Sequence, residues 1–135
     1  MITIAVLSRN ESLYSTRRLL SVIEKKGHKA LRLDHLKCDI VIEEDNPMIY
    51  YNGEKIEQVD AIIPRIGASV TFYGAAVVRQ FEMMKVTTAV ASEALIRSRD
   101  KLRSLQVMAR SGVGLPKTVF TNYSKEVKKL IETVG

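Results

Sequence analysis

The chain opens on a nearly continuous apolar run, Ile2–Leu7 (Ile-Thr-Ile-Ala-Val-Leu), and this run constrains the fold more than any other segment. A strand that is apolar on both faces must be covered on both, which is the situation inside a parallel sheet. After a polar loop, residues 13–26 read as a helix with apolar positions at Leu19, Leu20 and Ile23 and cations at Arg17, Arg18, Lys25 and Lys26. Gly27 stops that helix, and Lys29–Leu33 follows as a second strand. A strand–helix–strand unit closes by a right-handed crossover, so the expected class is α/β with an open, Rossmann-like parallel sheet.

The rest of the chain extends this plan. Met48–Tyr51 and residues 54–56 flank Asn52-Gly53, a pair that tolerates positive φ and predicts a two-residue hairpin turn. Residues 61–63 resume a short apolar strand that ends at Pro64-Arg65-Ile66-Gly67. Residues 71–84 form a helix and residues 87–90 one more strand. From Ser92 the texture changes to short helices, a turn at 112–116, a strand at 118–120 and a last helix at 124–133. A domain boundary is therefore placed near residue 92, giving a domain over 1–91 and a second segment over 92–135.

Composition removes several classes of function. With 46% hydrophobic and 27% charged residues the chain has the material for a core, and no segment approaches the roughly 20 apolar residues of a membrane span. The single cysteine, Cys38, excludes an internal disulfide and makes a reducing, cytoplasmic setting the default. His28 and His35 lack partners at a spacing that would make a metal site or catalytic pair, and no residue is assigned a catalytic or metal-binding role. The net charge of +6 is localised: residues 1–96 carry 12 basic and 12 acidic side chains, whereas residues 97–135 carry 9 basic and 3 acidic. Such an excess suits nucleic acid, a polyphosphate or an acidic protein face; with only Phe120 and Tyr123 as aromatics in that stretch, nucleic acid is the weakest of the three.

Three places carry candidate binding chemistry. The loop Ser8-Arg9-Asn10-Glu11-Ser12 follows the first strand, where open α/β folds hold ligands, though it has neither a dinucleotide fingerprint nor a Walker loop. Arg65 follows another strand end; it either grips a carboxylate bidentately or sits in solvent, and Gly67 beside it admits close backbone approach. Arg97-Ser98-Arg99-Asp100-Lys101 precedes an amphipathic helix, for which Ser98 is the expected N-cap, and gathers cations where a helix is already positive. An anion such as phosphate would relieve this. Lys101 shares a helical side with Leu105 and Met108; on geometry alone it either leans inward or snorkels out.

The segments Ala5-Val6-Leu7-Ser8-Arg9, Ile62-Ile63-Pro64-Arg65-Ile66-Gly67, Thr71-Phe72-Tyr73-Gly74, Arg79-Gln80-Phe81-Glu82-Met83 and Arg99-Asp100-Lys101-Leu102-Arg103-Ser104 together resemble the N-terminal part of RimK-type α-L-glutamate ligases of the ATP-grasp superfamily. The resemblance implies an enzyme that uses ATP and Mg²⁺ to turn a carboxylate into an acyl phosphate, which an amine then attacks. In the namesake members glutamate is added to a ribosomal protein. It further implies a pre-ATP-grasp domain over 1–91, the helical start of an ATP-grasp domain over 92–135, and a role for Lys101 against ATP phosphate. The second phosphate-binding lysine, the glycine-rich flap and the Mg²⁺-binding acidic residues would follow Gly135. The expectation is that the 135-residue chain alone is inactive, and that apolar surface on Leu102, Leu105, Leu115 and the last helix drives homo-oligomer formation.

Overall fold

A computed structural model describes the backbone of residues 1–135 and every side chain except that of Ser124. The chain forms two compact units, Met1–Ile96 and Arg97–Gly135. The charge asymmetry read from the sequence changes at the same place.

In the first unit, β1 (Thr3–Leu7), α1 (Tyr14–Lys25) and β2 (Lys29–Leu33) build the expected crossover. The chain then makes a single 3₁₀ turn at His35–Lys37 and a hairpin layer of β3 (Cys38–Val41), β4 (Met48–Tyr51) and β5 (Glu54–Lys55). It returns through β6 (Ala61–Pro64), α2 (Thr71–Met83), β7 (Thr87–Thr88) and α3 (Ser92–Arg99), the last of which runs across the division between the units. The parallel sheet has the order β2-β1-β6-β7, with Ala5 opposite Leu31 and Ile62. The antiparallel hairpin layer has the order β3-β4-β5, and Asn52 (φ 52°) and Gly53 (φ 83°) make its turn.

Both faces of β1 are covered, as its unbroken apolar run requires. Val6 is buried with Ile23 of α1, whereas Ala5 and Leu7 join Ile62, Val77, Val78 and Phe81 in the main core with α2. Two side chains tie α2 to the hairpin layer. Tyr73 donates its hydroxyl to the Cys38 carbonyl (2.7 Å), and the buried Gln80 donates Nε2 to the carbonyls of Val41 (2.8 Å) and Met48 (3.0 Å). Gly74 sits inside α2 against helix propensity, a cost of roughly 1 kcal/mol relative to alanine that only close packing offsets.

The second unit holds α4 (Lys101–Arg110) and α5 (Val127–Val134), the latter preceded by a 3₁₀ turn at Ser124–Glu126. Two expectations are corrected here. The N-cap of α4 is Asp100, not Ser98: Asp100 is extended (φ −84°, ψ 93°) and its carboxylate accepts from the Arg103 amide at 2.9 Å. Ser98 lies within α3, because aspartate caps as well as serine and adds a negative charge against the dipole. Residues 118–120 form no strand among the described residues; Thr-Val-Phe has local β preference, but no neighbouring segment provides a ladder.

Candidate functional site

The topology itself marks a site. From β1 the chain departs toward β2 on one side, and from its neighbour β6 it departs toward β7 on the other. With right-handed crossovers α1 and α2 fall on opposite faces, and a crevice opens beyond the carboxyl ends of β1 and β6. The loops that rim it begin at Ser8 and at Arg65, so Arg9, Arg65 and Gly67 come to one sheet edge.

Local bonds fix both loops. The Arg65 amide donates to Leu7 O at 2.9 Å, continuing the β1–β6 pairing by one residue, and Arg65 Nη2 donates to Ser15 Oγ at 3.3 Å across the crevice. The hydroxyls of Ser8 and Thr16 pair at 2.9 Å beneath the first loop. Arg32 holds the same loop from outside, with Nη1 donating to Ser8 O (3.1 Å) and Nε 3.1 Å from the Glu11 carboxylate. Contacts such as Arg65 with Ser15 span fifty positions, and no sequence signal marks them.

The electrostatics of this edge are positive. The N-caps of α1 and α2 are Leu13 and Val70, and neither helix has a capping side chain or an acidic residue in its first turn. The positive ends of their aligned dipoles therefore point toward this edge, where the carboxylate of the rim loop, that of Glu11, is paired with Arg32. Arg9 and Arg65 add exposed cations, and Tyr14 and Phe72, at the two helix starts, leave exposed aromatic rings, Phe72 at 91%. Gly67 has an ordinary φ of −70°, and a Cβ there would meet only Val70 Cγ2 at 3.8 Å. The protein's own packing thus leaves a side chain at 67 sterically possible.

His35, the first residue of the 3₁₀ turn after β2, is fully buried, and neither ring nitrogen has a hydrogen-bond partner among the described residues. Burial lowers its pKa, the Asp34 carboxylate opposes that shift, and the Arg9 guanidinium adds to it. Burial, with help from Asp34 and Asp39, pushes the Cys38 thiol up to about 12, which makes it an inert core group.

Lys101 lies in the second unit as the first residue of α4, with its side chain exposed. Because Asp100 already occupies the cap, the case for an anion there rests on the surrounding cations rather than on orphan amides. Among the described residues, no three His, Cys, Asp or Glu side chains gather as metal ligands, and no helix is long and apolar enough to cross a membrane.

Comparison with known proteins places this geometry. A "Probable alpha-L-glutamate ligase" of Vibrio atlanticus (strain LGP32) is 57% identical over 132 residues, covering 98% of this chain and 44% of that protein. A protein of the same name from Hydrogenovibrio crunogenus is 55% identical over the same span. The chain thus spans less than half the length of the curated relatives it matches. Among solved structures, a RimK domain ATP-grasp protein from Sphaerobacter thermophilus shares the fold, with a TM-score of 0.70, 15% identity, and coverage of 98% of this chain and 47% of that one. The family model described as the RimK PreATP-grasp domain matches residues 2–95, and the chain belongs to that family.

Proposed function

We propose that this chain is the N-terminal portion of an ATP-dependent carboxylate–amine ligase that adds glutamate to a protein or small-molecule acceptor through an acyl phosphate. Residues 1–91 are its pre-ATP-grasp layer and residues 92–135 the start of its ATP-binding region. The observation that carries this reading is the family match over residues 2–95, supported by the switch point between β1 and β6, where Arg9, Arg65 and the positive ends of α1 and α2 offer positive potential to a carboxylate. Arg65 and Arg9 hold the substrate's negative group there, and Gly67 leaves room for it. Lys101, in a stretch with 9 basic and 3 acidic residues, meets ATP phosphate. The acceptor class includes a ribosomal protein, and a reducing, cytoplasmic setting suits the unpaired Cys38.

ATP and Mg²⁺ serve the complete enzyme, and the acidic residues that would hold the metal are assigned to its ATP-binding region rather than to residues 1–135. In-line phosphoryl transfer needs several donors around the moving group, so residues 1–135 by themselves are expected to give no turnover in an ATP- and Mg²⁺-dependent glutamate ligation assay. The second unit also exposes Val107, Val113 and Ile131, and it holds a mainly apolar groove of about 240 Å³ whose lining includes Leu102, Leu105, Ala109, Leu115 and Phe120. That surface supports self-association of the chain.

A second reading, a non-catalytic binding or assembly module, is favoured by the confinement of the charge excess to residues 97–135. Calorimetric titration of the chain with ATP separates the two. Weak binding that Lys101→Ala abolishes is the expected result; binding unchanged by that substitution, or none, refutes the assignment of Lys101.

A further inference from the structure

The least expected contact in the first unit lies between Gly74 and Ile66. A Cβ built on Gly74 would fall well inside van der Waals contact of Ile66 Cγ2, with Cδ1 and Cγ1 each only 3.2 Å away. Its φ is unremarkable, so the glycine answers to space rather than to backbone conformation. Ile66 is 5% exposed and is the one member of the Arg65-Ile66-Gly67 loop embedded in the core.

The helix has little freedom to retreat from a larger residue. Tyr73 and Gln80 bond it to the hairpin layer, and Ala75, Val77, Val78 and Phe81 are buried in the core on its inner side. The loop is the softer partner. Its outer residues, Arg65 and Gly67, are exposed; Arg65 is held by a backbone bond to Leu7 and a 3.3 Å bond to Ser15, and the Gly67 carbonyl accepts from the Val70 amide at 3.2 Å. Close-packed interiors pass a displacement of one side chain to the next rather than absorbing it. A methyl group at 74 would therefore be relieved by moving Ile66, and with it the adjacent residue.

We infer that Gly74 is a positioning residue: by admitting Ile66 against the α2 backbone, it sets where Arg65 presents its guanidinium at the crevice between β1 and β6. The importance of that placement for substrate rests on the reading of Arg65 proposed above; the placement itself does not.

Amide hydrogen exchange by NMR on the 135-residue chain tests it, with Arg65 as reporter and the Val6 amide, in mid-strand β1, as internal reference. In Gly74→Ala the protection of the Arg65 amide should fall roughly tenfold or more while Val6 changes far less, a local rather than global opening. Adding Ile66→Ala should restore most of the Arg65 protection. Equal loss at both amides, no loss at Arg65, or a selective loss that Ile66→Ala fails to repair would each overturn the inference. Should Gly74→Ala not fold, the double variant decides: recovery of the fold supports the contact, and continued failure refutes it. Titration with L-glutamate, followed at the Arg65 side-chain Nε resonance, addresses the other reading. Silence there in the wild type counts against Arg65 as a carboxylate ligand and leaves the exchange result standing.

Discussion

The carboxylate of Glu82, on α2, accepts from both the backbone amide (2.8 Å) and the hydroxyl (2.6 Å) of Ser92, the first residue of α3. A side chain of one helix thereby satisfies an orphan amide at the start of the next, and a negative charge meets the positive end of that helix. Ser92 is buried, so removing the carboxylate strands its donors. Glu82→Ala is expected to destabilise the chain by about 1–2 kcal/mol in urea unfolding. Ser92→Ala added to it should cost less than Ser92→Ala alone, because the two residues share one interaction.

Three helices end in the same way, and one does so with the wrong residue for it. After α1, α2 and α4 the chain turns through positive φ at Gly27 (79°), Lys85 (64°) and Gly112 (74°). In each case the next amide reaches back to the helix: His28 to Ile23 O, Val86 to Phe81 O and Val113 to Met108 O. Lysine in this left-handed conformation is strained where glycine is not. Lys85→Gly should raise stability by about 1 kcal/mol, visible as a higher Tm, while Gly27→Ala should lower it by a similar amount.

The buried His35 makes stability depend on pH in a defined direction. Its folded pKa lies below the unfolded value of about 6.5, so the unfolded chain binds the extra proton first. The stability is fully present above that value and is lost as pH falls below it toward the folded pKa. Denaturation midpoints measured at pH 7.5 and again on the acid side of roughly 6.5 should show this loss, and His35→Met should remove much of the pH dependence while lacking the charge switch.

Much of this architecture was legible because its signals are local. The apolar run at Ile2–Leu7, the stop at Gly27 and the Asn52-Gly53 turn each act within a few residues, and β1, α1, β2 and the β4–β5 hairpin lie where those signals put them. The carboxyl-edge loops were legible as positions, because an α/β sheet has only one edge where such loops converge. What the sequence concealed depends on distant partners. β3 exists by pairing with β4, whereas 118–120, with comparable local preference, has no such partner among the described residues. Asp100 won over Ser98 in a stretch where both side chains can cap. Neither Ser15 beneath Arg65 nor Gly74 beneath Ile66 leaves a trace in spacing, because their meaning lies entirely in what folds against them.

Gln80 offers one amide nitrogen to the carbonyls of Val41 and Met48, residues that face each other as the outermost pair of β3 and β4. A slip of either strand by a single residue would carry one of those acceptors out of reach and turn its side chains to the other face. One glutamine side chain on α2 thus fixes the register of a hairpin it does not belong to, and Gln80→Leu would leave that pairing to the strands alone.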